Sequence, residues 1–64
     1  MDTEEKNNLN KIIRNYDGVD NFILSLRKQL KSSKYLKKEK LGKREIKVLS
    51  DKQYEVAKTI LNIS

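Results

Sequence analysis

Val19, Phe22, Ile23, Leu26 and Leu30 recur at i, i+3, i+4, i+7 and i+11. That spacing gathers all five on one stripe of an α-helix and leaves Arg27, Lys28 and Gln29 on the other side. It predicts a helix over 19–32, ending near Ser32 and Ser33, whose hydroxyls compete with the helix for backbone hydrogen bonds. Such a stripe needs an apolar surface to lie against, and this chain has little to offer. At 64 residues it buries only about 60% of the surface it exposes when unfolded. With no Cys, no Trp and a single Phe, the core has to be built from Leu, Ile and Val, or completed by a second copy of the chain.

Two further segments carry helix-start signals. Asp2 followed by Glu5 places a capping acceptor and a first-turn acid ahead of Leu9, Ile12, Ile13 and Tyr16, which recur at helical spacing and predict a helix over 3–15. Ser50-Asp51-Lys52-Gln53 has the form of a capping box, with Leu49 before it positioned to staple onto Tyr54. Tyr54, Ala57, Ile60 and Leu61 then share one face, predicting a helix over 51–62. Between the first two helices, Asn15-Tyr16-Asp17-Gly18 reads as a tight break in which Gly18 takes positive φ and Asp17 caps the helix that follows.

The remaining segment, 33–49, is a connector. Tyr35, Leu36 and Leu41 would line a short helix closed by Gly42, or would anchor a loop. Ile46 and Val48 alternate with Lys47 in a strand-like way, and a short β-hairpin with the region near Lys34 to Lys37 is the alternative. The scarcity of Gly and the absence of Pro favour helix. The expected fold is therefore all-α: a single small domain over 1–64, with three helices and a basic connector between the second and third.

Charge is concentrated in that connector. From Lys31 to Lys47 eight cations face only Glu39 and Glu45, while outside this stretch seven cations match seven carboxylates, so the net charge of +6 is entirely local. A local excess of one sign makes a field that an anionic partner senses. Lys34, Lys37, Lys38, Lys40, Lys43, Arg44 and Lys47 are the candidate phosphate contacts, and Tyr35 is the candidate for stacking on a base; the alternative is a solvated lysine-rich loop with Tyr35 turned into the core. Arg44 alone among them has the planar fork that reads guanine, so the binding expected of this segment is largely sequence-independent.

The chain contains no His and no Cys, which removes the commonest general base, the thiol nucleophile and the usual transition-metal ligands. No Walker loop, dinucleotide fingerprint or calcium-loop spacing is present. Asp17 and Asp20 read as a cap and a first-turn acid rather than a catalytic pair. The expectation is no enzyme activity, no cofactor and no metal. No stretch approaches the roughly 18 apolar residues that span a bilayer. The start Met1-Asp2-Thr3-Glu4-Glu5 is acidic where a signal peptide is basic. A cytoplasmic location, in a bacterium or an infected host cell, and no membrane role are expected.

Phe22-Ile23-Leu24-Ser25-Leu26-Arg27-Lys28-Gln29-Leu30 and Leu49-Ser50-Asp51-Lys52-Gln53 together form a Phe-x-x-Ser-Leu … Leu-Ser-x-Lys-Gln pattern. It resembles segments of small bacteriophage and prokaryotic proteins and of modules that flank DNA-metabolism proteins. The resemblance extends from Tyr16 to Leu61 and implies a helical module of phage or bacterial DNA biology, with the Phe22 and Leu26 face against the Tyr54 and Leu61 face. Expected partners are therefore the phosphate backbone of DNA or RNA. The competing expectation is a protein-interaction module, an inhibitor or adaptor docking on an acidic surface of a host nucleic-acid enzyme, with Leu36, Leu41, Ile46 and Val48 exposed for it. A homo-oligomer joined through the helix faces is the third.

Overall fold

Capping fixes where the helices begin. The computed structural model describes residues 1–32 and 36–63, and among these the order is α1 (Thr3–Arg14), α2 (Asn21–Ser32), β1 (Lys37–Leu41), β2 (Arg44–Val48) and α3 (Asp51–Leu61). The Asp2 carboxylate accepts from the Glu5 N–H at 2.8 Å at the head of α1. At the head of α3 the Ser50 hydroxyl accepts from the Gln53 N–H, and the Gln53 side chain accepts from the Ser50 N–H, so the box closes in both directions. The cap of α2 is Asp20, which accepts from the Ile23 N–H at 3.1 Å, rather than Asp17. That shift moves the helix start past Val19, which is left 90% exposed.

Gly18 also has a different role from the expected one. It does not adopt positive φ; the Tyr16 ring lies over it, and a Cβ at this position would collide with the ring and its hydroxyl. The Tyr16 hydroxyl accepts from the Asp20 N–H, and its carbonyl accepts from the Arg27 guanidinium. The break between α1 and α2 is thus organised around a tyrosine rather than by a glycine turn.

The all-α expectation is overturned by the connector, which forms an antiparallel hairpin and makes this an α+β protein. Leu41 pairs with Arg44, so the loop is just Gly42 and Lys43. Gly42 has φ 67° and Lys43 is not in the positive region, which is the pattern of a two-residue hairpin turn with glycine in its first position. Gly42 therefore reverses the chain between two strands rather than closing a helix. Side chains alternate along each strand, so Glu39, Leu41, Ile46 and Val48 share the face turned to α1, with Lys37 and Arg44 on that face at the strand ends, and Lys38, Lys40, Glu45 and Lys47 share the outer one. The strand in β1 was hidden because its central inward position holds a carboxylate instead of an apolar residue.

The core consists of Leu9, Ile13, Ile23, Leu26, Leu30, Val48, Leu49, Tyr54 and Ala57. The helix α1 packs on α2 and on both strands, and α3 packs on α2. The buried face of α1 is Lys6, Leu9, Asn10 and Ile13, at i, i+3, i+4 and i+7; Ile12, expected inside, is 41% exposed. Ile60 of α3 and Phe22 of α2 also lie partly outside. Tyr54 is fully buried, and its hydroxyl accepts from the Leu49 N–H at 2.9 Å and donates to Asn10 Oδ1 at 2.7 Å. Asn10, 2% exposed, in turn donates from Nδ2 to the Lys47 carbonyl at 2.7 Å. One buried chain of hydrogen bonds thereby joins α3, α1 and β2.

A Tyr54→Phe substitution keeps the ring and strands the buried Leu49 N–H and Asn10 Oδ1. The expected cost is about 1–3 kcal/mol, read as a lower urea midpoint at unchanged slope. An unchanged midpoint would show that the hydroxyl carries no stability.

Candidate functional site

The turn at Gly42 folds the lysine-rich segment back on itself and gathers cations that are spread along the sequence. Lys37, Lys38 and Lys40 are exposed on β1, Lys43 is exposed in the turn, and Arg44 is exposed at the start of β2. Lys47 is half-buried on β2, directly across from Lys38. Like charges facing one another across two strands repel, so this face gains when an anion lies between them. Lys40 faces Glu45 in the neighbouring pair. Lys34 and Tyr35, the remaining candidates, lie outside the described residues.

Of the two carboxylates in the segment, Glu39 is turned inward. It accepts from the Lys6 ammonium at 2.7 Å and from the Thr3 hydroxyl at 2.9 Å, both on α1. Lys6 also lies 3.5 Å from Asp51 at the head of α3, so a single buried ammonium ties β1 and α3 to α1. The hydrogen bond from Lys6, with help from Thr3, holds the Glu39 carboxyl below its ordinary 4.5 even though burial opposes this. The same hydrogen bond raises Lys6 above its ordinary 10.5, against the desolvation that would lower it. Burial raises the Tyr54 phenol above 10.0, partly offset by the Leu49 N–H. With Glu39 committed to Lys6, the outward cations of the hairpin are opposed by Glu45 alone.

Beside β2 runs a groove of about 630 Å³ whose walls carry Lys11, Arg14, Lys31, Arg44 and Lys47, with Glu45 as its acid. Lys11 and Arg14 come from the last turn of α1, where cations complement the partial negative charge of a helix C-terminus. Sequence reading missed both, because the charge count outside 31–47 is balanced. The signal was the distribution within α1: Glu4 and Glu5 in its first turn, Lys11 and Arg14 in its last. Among the described residues the ion pairs are those of Lys6 with Glu39 and Asp51 and of Lys58 with Glu5, so none uses a cation of the groove or of the outer hairpin.

The apolar residues expected to be free for a partner are mostly engaged. Val48 is in the core, Leu36 and Ile46 pack against it, and Leu41 is half-buried. Among the described residues, no cluster of three or more His, Cys, Asp or Glu is placed to hold a metal ion, and no helix is long and apolar enough to cross a membrane. No protein-family model, curated protein or solved structure matches the chain.

The pKa directions set a pH profile for stability. Because Glu39 is depressed in the folded state, its contribution is complete above 4.5 and is lost as pH falls through the lowered value. Lys6 and Tyr54 are raised, so theirs are complete below 10.5 and 10.0 and are lost as pH rises through the raised values. Urea midpoints should therefore be flat near neutrality and fall on both sides. Glu39→Gln should make the acid limb shallower, and Tyr54→Phe the alkaline limb; limbs of unchanged steepness would reject these assignments.

Proposed function

We propose that this chain is a small accessory protein, of the kind found in bacteriophage and acting in the cytoplasm, that binds nucleic acid without sequence preference. The observation that carries this reading is the hairpin: Lys37, Lys38, Lys40, Lys43, Arg44 and Lys47 on one short ribbon, with Glu39 drawn away to Lys6. Contacts of that kind position a backbone and neutralise its phosphates. The lysines among them are compact point charges without the planar fork that reads base edges, so they contribute affinity rather than specificity. The helices and the Tyr54 hydrogen-bond chain serve as the scaffold that presents the ribbon. Docking on an acidic protein surface would use the same cations, but of the apolar residues expected to be exposed for it beside them, Val48 is in the core and Leu36 and Ile46 pack against it.

The reading is tested by the salt dependence of DNA and RNA binding. With about five phosphate contacts, affinity should fall by roughly two to three decades between about 50 and 200 mM salt. Replacing Lys37, Lys38, Lys40 and Lys43 together by Glu should abolish binding while the far-UV helical signal persists. No binding at the low-salt end, or binding that salt leaves untouched, rejects the proposal.

A further inference from the structure

The groove beside β2 has three properties that the outer face of the hairpin lacks. Its cations come from opposite walls, Lys11 and Arg14 on α1 and Arg44 and Lys47 on β2, with Lys31 at the end of α2. It follows the edge of β2 that β1 does not pair: four consecutive residues of β2, 44 to 47, line it, and no residue of β1 does. Finally, that edge offers backbone polar groups. Asn10 Nδ2 reaches the Lys47 carbonyl from the α1 side, so this carbonyl points away from β1. In an antiparallel pair both polar groups of a residue turn the same way and alternate along the strand. The N–H groups of Lys47 and Glu45 therefore also point to the groove side.

A concave channel with cations on both walls and amide donors along one suits a single phosphodiester backbone, which can be gripped from two sides. A duplex presents two backbones on a convex surface about a major-groove width of 12 Å apart, and would meet only the rim. Among the described residues, the channel's walls and floor include Leu30 and Ile46 and no aromatic side chain, so what they offer a strand is contact with its backbone. Addition of an acidic peptide as a third strand is disfavoured, because Asn10 already occupies the Lys47 carbonyl that the added strand would need.

Resting on the nucleic-acid reading above, we infer that a single nucleic-acid strand lies in this groove, with Lys11 and Arg14 as phosphate-binding residues opposite Arg44 and Lys47. Fluorescence anisotropy of a labelled oligothymidylate, titrated across a salt series, tests it. Lys11 and Arg14 are exposed, so the double variant Lys11→Gln, Arg14→Gln should keep its far-UV signal. It should lower the slope of log affinity against log salt by about 1.4, two contacts at about 0.7 each. The pair Lys31→Gln, Arg44→Gln probes the facing side and should give a similar loss, while Lys28→Gln, Lys52→Gln removes equal charge outside the groove and should leave the slope unchanged. If wild-type protein binds but the slope responds only to Lys38→Gln, Lys40→Gln, the groove assignment fails and the broader reading stands. If a duplex of equal phosphate number binds more tightly, the strand is not single; if polyglutamate of equal charge displaces the oligonucleotide, the partner is an acidic polypeptide. If no nucleic acid binds at low salt, the broader reading fails and this one with it.

Discussion

The Tyr54 hydroxyl stands where three elements meet, accepting from the Leu49 N–H and donating to Asn10, which passes the connection on to the Lys47 carbonyl. Beside the buried apolar residues of the core, these hydrogen bonds supply what apolar packing does not, a fixed geometry. Hydrophobic contact is non-directional, and a hairpin of five-residue strands would have no unique position against a helix on that basis alone. Hydrogen bonds made in a buried setting have a defined length and angle, and an unmade one is costly. The register of β2 against α1, and with it the alignment of Arg44 and Lys47 opposite Lys11 and Arg14, depends on Asn10 being where Tyr54 holds it.

The Lys6 to Glu39 pair acts on the other strand in a complementary way. It anchors β1 to α1 and, through Asp51, anchors the head of α3 beside it. It also changes the electrostatics of the outer surface. A carboxylate that sequence arithmetic counts among the lysines is withdrawn from them, so the exposed ribbon is more positive than its composition indicates. Scaffold and surface are thus determined by one interaction, because the group that pins the strand is the group that would otherwise have neutralised it.

Features that depend on residues a few positions apart were legible in the chain. The capping box at Ser50 and Gln53, the Asp2 cap and the buried stripe Ile23, Leu26 and Leu30 all follow from local spacing. Features that depend on distant partners were not. Glu39 meets Lys6 across 33 positions, and Tyr54 meets Asn10 across 44. Without those partners an inward carboxylate breaks the period-2 signal of a strand, and an asparagine looks like part of a polar helix face. The same blindness hid half of the groove: Lys11 and Arg14 belong to a stretch whose charges cancel on paper, and only folding places them beside the hairpin. Of the candidate residues, 37 to 47 were found from composition, and their arrangement on two strands required the turn at Gly42 to be recognised.

The division of charge along α1 has a kinetic meaning as well. Its acids sit in the first turn and its cations in the last, the latter next to the basic hairpin. A charged molecule with its two signs at separate ends experiences a torque in an external field, beyond a simple attraction. Among the described residues Glu5 is paired with Lys58, so Glu4 is the unpaired acid of that first turn, and in the field of the proposed polyanion the Arg14 end would be drawn forward. Orientation before contact reduces the number of unproductive encounters, which for most protein associations limit capture far below the diffusional rate. For the proposed nucleic-acid partner, the first helix would thus help to turn the basic face toward the strand before contact.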